Sequence, residues 1–439
     1  MFRFKSFLIF ILPCIFCVVS GVAYCAIGLT LAESIAIARR ENPEISLALE
    51  GIRKADAGID QATALSRPHV SLTGVYQRLN RVPTVNIGGT IIPVDTLDDR
   101  MVDVLFSQPL DIFGSARMAR RAAVENKTSF QFGFDEQVSD VTLDVINAFY
   151  GVLRAQRYCK VQMDAISNLD AHLKDAQNYY KAGAISRFDL LRAETELANV
   201  RHESISALNG VELAKGAFNK ALGRAVDTPV DLVESDVSGL SDMSLQQCLD
   251  AACRCRPAVL RANSLVGYDE SLLKVAQISG KPKVNFELEY DRDFDPNAID
   301  RLNSLWKATI NINIPLYDGG ANRAAVAKAK SDFRNAQTER EQVTRGAKLE
   351  AEQAYFGLEE SRKRVEAAKR ALDESREALR LATVRYKGGV SVQVEVFDAQ
   401  TASTLAETNY VSALYDCEVA KAEVLRATGM LSKAMRTIQ

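Results

Sequence analysis

The sequence has no excess of basic charge: 54 Lys and Arg against 56 Asp and Glu in 439 residues leave a formal charge of −2. Proteins that hold nucleic acid through its phosphates carry clustered positive charge, so nucleic acid is not an expected partner. Histidine is scarce too. His69, His172 and His202 are the only three, none sits in a nucleophile or metal motif, and no catalytic residue, cofactor or metal is expected. Cys248, Cys253 and Cys255 lie close together but lack zinc-site spacing. They read, with Cys159 and Cys417, as plain thiols. Beyond the N-terminal segment no long uncharged apolar run occurs, which excludes an ordinary transmembrane helix and leaves strands as the means of entering a membrane. Proline is absent from 115–222 and from 321–428, so nothing in either tract forbids very long helices.

The N-terminus carries Arg3 and Lys5, then an apolar run from Phe7 to Val19 and the small residues Ser20, Gly21 and Ala23. That layout is a signal peptide. The run falls short of the roughly 20 residues that span a bilayer, so residues 1–25 are expected to be removed, with cleavage after Ala23 or Cys25. A lipid anchor on Cys25 is the rival, disfavoured because Tyr24 stands where lipoprotein signals take a small residue.

The chain is one unit written twice. Pro43 and Pro68 recur 214 positions on as Pro257 and Pro282. The match resumes at an offset of 206, pairing Pro109 with Pro315, Gly114 with Gly320, Tyr180 with Tyr386, Gly183 with Gly389 and Gly223 with Gly429. The first copy is therefore eight residues longer between Pro68 and Pro109. Residues 26–230 and 231–439 form the two repeats, each read as a helix, two strands and a long helical hairpin.

Strands are expected at about 69–79, 101–110, 283–291 and 305–315. In the second copy Val284, Phe286, Leu288 and Tyr290 alternate with Asn285, Glu287, Glu289 and Asp291, and Trp306, Ala308, Ile310 and Ile312 alternate with Lys307, Thr309, Asn311 and Asn313. The period of two puts one apolar and one polar face on each strand. Val70, Leu72 and Tyr76 with Val102, Val104 and Phe106 repeat the pattern more weakly. Strands of about 9–11 residues suit a transmembrane barrel wall. On that reading Asn285, Glu287, Glu289, Lys307, Asn311 and Asn313 line a lumen while Phe286, Leu288, Ile310 and Ile312 face lipid. Four strands cannot close, and open edges in lipid cost several kcal/mol per unpaired group, so an oligomer is required. Residues 80–99 and 291–304 read as turn-rich loops. Asp291, Asp293 and Asp295 resemble a calcium loop only until Pro296 and Leu302, which stand where glycine and glutamate are needed.

The tracts 115–222 and 321–428 are rich in Ala, Leu, Glu, Lys and Arg, strong helix formers, and each is broken once, at Gly183 and at Gly388 and Gly389. The stretch from Ser115 to Ala182 would extend on the order of 100 Å as one helix. Paired amphipathic helices of that length read as coiled-coil hairpins. A soluble periplasmic coiled-coil adaptor or scaffold is the alternative that the helices alone leave open.

The hairpin tips read Tyr180-Lys181-Ala182-Gly183-Ala184-Ile185-Ser186-Arg187-Phe188-Asp189 and Tyr386-Lys387-Gly388-Gly389-Val390-Ser391-Val392-Gln393-Val394-Glu395-Val396-Phe397-Asp398. With the duplication, these motifs resemble the TolC-like outer-membrane efflux factors over nearly all of the mature chain. The resemblance implies an α+β membrane protein, a homotrimer with a twelve-stranded β-barrel in outer-membrane lipid on a periplasmic α-helical barrel, closed at its tip until a periplasmic adaptor and an inner-membrane pump dock. It further implies that Glu395 and Asp398 ring the entrance and that Tyr386 belongs to the gate, with Gly183, Ser186, Gly389 and Ser391 at the tips. Asp189 has two readings, a gate acid or a capping box with Ser186. Some family members carry arginine at the position of Ser391; Arg187 and Arg192 are the candidates to replace it.

Overall fold

The computed structural model describes residues 28–236, 243–294 and 304–431. The signal segment with Cys25, and Asp295, Pro296 and Leu302, lie outside them. The first repeat opens with α1 (Leu31–Glu41) and α2 (Pro43–Ala64), followed by β1 (His69–Arg78), β2 (Thr84–Ile87), β3 (Thr90–Pro93) and β4 (Asp98–Leu110). Its hairpin is α3 (Ser115–Lys181) and α4 (Arg187–Leu222). The second repeat comprises α5 (Leu245–Cys255), α6 (Pro257–Ser279), β5 (Lys283–Asp293), β6 (Ser304–Asn313), α7 (Ala321–Lys387) and α8 (Gln393–Ala427).

Two local readings of the sequence need correction. Each repeat begins with two helices where one was expected, because a proline follows Asn42 and Arg256. Both of these residues hold ψ at 125°, outside the helical region, as residues before proline do. Proline then starts the next helix at a position whose N–H has no partner in any case. In the first repeat the connection expected to be plain loop contains the β2–β3 hairpin, which pairs Val85 with Ile92 and Ile87 with Thr90. It occupies the longer first-copy connection, turning at Gly88 and Gly89, both with positive φ.

The other four strands form one antiparallel sheet in the order β1-β4-β5-β6. Its register aligns like with like: Phe286 opposes Ile310 and Tyr290 opposes Trp306, while Asn285 opposes Asn311 and Glu289 opposes Lys307. Across the first-repeat strands Val70 opposes Phe106 and Leu72 opposes Val104. Because Phe106 also opposes Leu288 and Val104 opposes Tyr290, one sheet face is mainly apolar across all four strands, interrupted by Gln108, Arg100 and Arg292.

α3 and α7 each run 67 residues, about 100 Å at 1.5 Å per residue. α3 packs on α4 and α8, and α8 on α7, so α4 and α7 stand at the margins of the helical layer. The main core lies midway along, where α1 crosses the long helices: Val145, Ile146, Phe149 and Tyr150 of α3 meet Phe218 and Leu222 of α4 and Tyr415 and Leu425 of α8. The segment joining the repeats is tied down there. Tyr150 donates its hydroxyl hydrogen to the Ser235 carbonyl at 2.7 Å, and Glu234 accepts from the Tyr415 hydroxyl and pairs with Arg157, both at 2.9 Å.

Candidate functional site

Both hairpins turn at a left-handed glycine, Gly183 with φ 73° and Gly389 with φ 70°. Identical return bonds close them, from the Ala184 N–H to the Tyr179 carbonyl at 2.8 Å and from the Val390 N–H to the Arg385 carbonyl at 3.0 Å. Past the glycines the copies diverge. At the start of α4, Asp189 Oδ2 accepts from the Ser186 N–H at 3.0 Å and from the Ser186 hydroxyl at 2.7 Å, while Ser186 Oγ accepts from the Asp189 N–H at 3.2 Å. This is a full capping box, and it occupies Asp189. At the start of α8 the corresponding residues are Val392 and Glu395. Valine cannot cap, no side-chain cap forms, and the Glu395 carboxylate instead lies 3.5 Å from Arg385. Glu395 and Asp398 are both exposed, one helical turn apart.

Between the hairpins the tip is closed by packing. Tyr386 is 7% exposed, its ring 4.9 Å from that of His172 and 5.9 Å from that of Tyr179, both on α3. Phe397 of α8 also meets His172, edge to face, with the ring centroids 5.1 Å apart. Lys387 reaches across to Asp175 at 3.3 Å. The Tyr386 hydroxyl and Ser391 Oγ are buried without a hydrogen-bond partner. Burial raises the Tyr386 hydroxyl pKa, with smaller contributions from Tyr179, Asp189 and Asp175. Neither arginine named from the sequence joins this contact as a latch: Arg192 lies over the Phe397 ring at 6.0 Å, and Arg187 is exposed. From the sequence His172 drew notice only as a scarce histidine and Lys387 only as part of the tip motif, while Asp175, Tyr179 and Arg385 drew none. The spacing of His172, Asp175 and Tyr179 along one face of α3 was the available signal.

Away from the hairpin tips, the sheet's apolar face is bare. Val70, Leu72, Tyr76, Trp306, Ile310 and Ile312 are each at least 62% exposed. The opposite face is polar and internally bonded. Asn285 and Asn311 donate to Glu287 at 2.7 and 2.6 Å, and Lys307 pairs with Glu289 at 3.0 Å and Asp291 at 3.5 Å. Asp103, Glu289 and Asp291 group their carboxylates on this face, with the Lys307 ammonium beside them.

An apolar sheet with no cover of its own, joined to helices about 100 Å long that fold back as hairpins, defines the class of outer-membrane channel proteins. The chain belongs to the outer membrane efflux protein family, whose model matches residues 35–224 and 255–430, one segment in each repeat. It is similar to Protein CyaE of Bordetella pertussis, 24% identical over 92% of this chain and 85% of that protein. It is also similar to outer membrane protein OprJ of Pseudomonas aeruginosa, 29% identical over 80% of this chain and 77% of that protein. The fold matches the CmeC outer membrane channel of Campylobacter jejuni with a TM-score of 0.78 at 15% identity, over 91% of this chain and 86% of that one. The chain is an outer-membrane efflux component, and the family is one of channels and not of enzymes.

Proposed function

We propose that this protein is the passive exit duct of a tripartite efflux or type I secretion system, a homotrimer that conducts substrate from the periplasm outward when an adaptor and an inner-membrane pump dock at its tips. The observation that carries this reading is the sheet. Among the described residues its apolar face is uncovered and β1 and β6 are unpaired edges; in lipid such edges must be satisfied. Pairing β1 of one copy with β6 of the next satisfies both, and three copies give twelve strands, within the range of known barrels. The helical layer supports the same joint. Its marginal helices carry exposed apolar residues, Phe188, Leu191, Ile205 and Leu208 on α4 and Leu349, Phe356, Leu381 and Val384 on α7, which neighbouring copies can cover.

The polar sheet face, with Asn285, Glu287, Glu289, Lys307, Asn311 and Asn313, then lines the barrel, and Glu395 and Asp398 ring the periplasmic entrance. Mass measurement of the detergent-solubilised protein should give three chains per particle, and that particle should conduct in planar bilayers. A monomer that conducted as well would overturn the reading, because four strands cannot seal a barrel.

A further inference from the structure

We infer that His172 is a further gate residue: as a neutral imidazole packed against both Tyr386 and Phe397 it pins the first hairpin to the second, and its protonation releases them. The inference rests on the reading of the tips as the channel entrance. Three elements converge on this one ring, since His172 belongs to α3, Tyr386 to α7 and Phe397 to α8, with ring separations of 4.9 and 5.1 Å. His172 is 8% exposed, and its Nε2 is buried with no hydrogen-bond partner. The imidazole therefore serves here as an aromatic spacer, and it can lose that character by taking up a proton.

The charged groups around it give an imidazolium little support. On α3, Asp175 is the nearest acid, and Lys387 of α7 already pairs with it at 3.3 Å. Tyr179 and Tyr386 present neutral rings. On α4, Asp189 is held in its cap and Arg192, a cation, lies over Phe397; Glu395 of α8 pairs with Arg385. The aromatic faces attract a cation, but an imidazolium must carry a hydrogen on Nε2, which has no acceptor in this packing. Burial holds the His172 pKa below its ordinary 6.5; Asp175 pulls it upward and Lys387 adds to the lowering. The sign follows. Once the hairpins part and the ring is wet, the ordinary value returns, so below about pH 6.5 the open form binds more protons than the closed one. Closure is fully supported above that pH and weakens as the pH falls through it toward the lowered value.

The test compares full-length native protein with H172F and H172A, each first shown by mass in detergent to assemble as the native protein does. Resting conductance is recorded in planar bilayers from about pH 7.5 to about pH 5, a range that brackets histidine titration. The native conductance should rise several-fold on acidification. H172F keeps an aromatic ring and cannot titrate, so the rise should be lost; H172A removes the ring and should conduct more at pH 7.5. Because native and H172F differ only here, titration elsewhere at the mouth is common to both. An H172F profile that superimposes on the native one, or H172A conductance at the native level at pH 7.5, would overturn the role of His172. Tyr386→Ala separates this from the parent reading. If it too leaves resting conductance at the native level, the tip is not the entrance; if it opens the channel while the His172 variants behave as native, only the present inference fails.

Discussion

Asp189 and Glu395 hold the same place in the two copies, 206 positions apart, yet a single neighbour gives them different work. Ser186 draws Asp189 into a cap, an arrangement whose loss typically costs about 0.5–2 kcal/mol. Val392 offers nothing, and the Glu395 carboxylate stays exposed beside Arg385. Gly223 and Gly429 show the opposite behaviour, a constraint kept in both copies. Each ends a returning helix with positive φ, and a Cβ there would lie 2.6 Å from the Glu41 carbonyl oxygen or 2.5 Å from that of Cys255. The obstructing atoms are backbone at the α1–α2 and α5–α6 junctions and cannot swing aside. Gly429→Ala should therefore destabilise the protein by about 1–3 kcal/mol, the range for strained backbone. Gly58→Ala, in helix α2 with nothing within 4 Å of its Cβ, should be neutral or slightly stabilising. Thermal unfolding or protease resistance of the two variants measures the contrast, and equal midpoints would show that the junction yields.

At the scale of elements, the sequence was readable wherever the governing interaction is local or periodic. Pro43, Pro68, Pro257 and Pro282 revealed the duplication, and the alternation from Val284 to Asp291 announced the two faces that the register then aligned. The β2–β3 hairpin was missed because its strands are four residues each, too short for a period of two to stand out among turn residues. Tyr386 was assigned to the tips by resemblance, but its contact with His172 was missed for a different reason: the two residues are 214 positions apart in sequence, and neither residue type announces its partner. The Asp189 cap, with its partner three residues away, was visible as one of two readings. The sheet itself is testable by labelling. In single-cysteine variants, Phe286→Cys and Ile310→Cys should react with a membrane-confined probe, and Glu287→Cys and Asn311→Cys with a water-borne one. The reverse pattern would turn the sheet inside out and defeat the barrel assignment.

For the whole molecule, the threefold closure proposed above would turn two carboxylates per chain into a ring of six. Glu395 and Asp398 lie on one face of α8, and both are exposed. Rings of carboxylates around a constriction favour cations. Arg385 tempers this ring, lying 3.5 Å from Glu395 with both side chains well exposed, where an ion pair is screened and contributes at most about 1 kcal/mol. Substitutions on the two sides of the pair should thus act in opposite directions. Replacing both Glu395 and Asp398 by alanine should weaken cation preference and block by multivalent cations. Arg385→Ala should strengthen both by leaving Glu395 without its counter-charge. Reversal potentials across a salt gradient in planar bilayers give the sign directly, and low salt enlarges the difference because screening of exposed charges falls. If neither variant moves the reversal potential, these acids do not line the conducting path, and the entrance must be sought elsewhere along the helical tunnel.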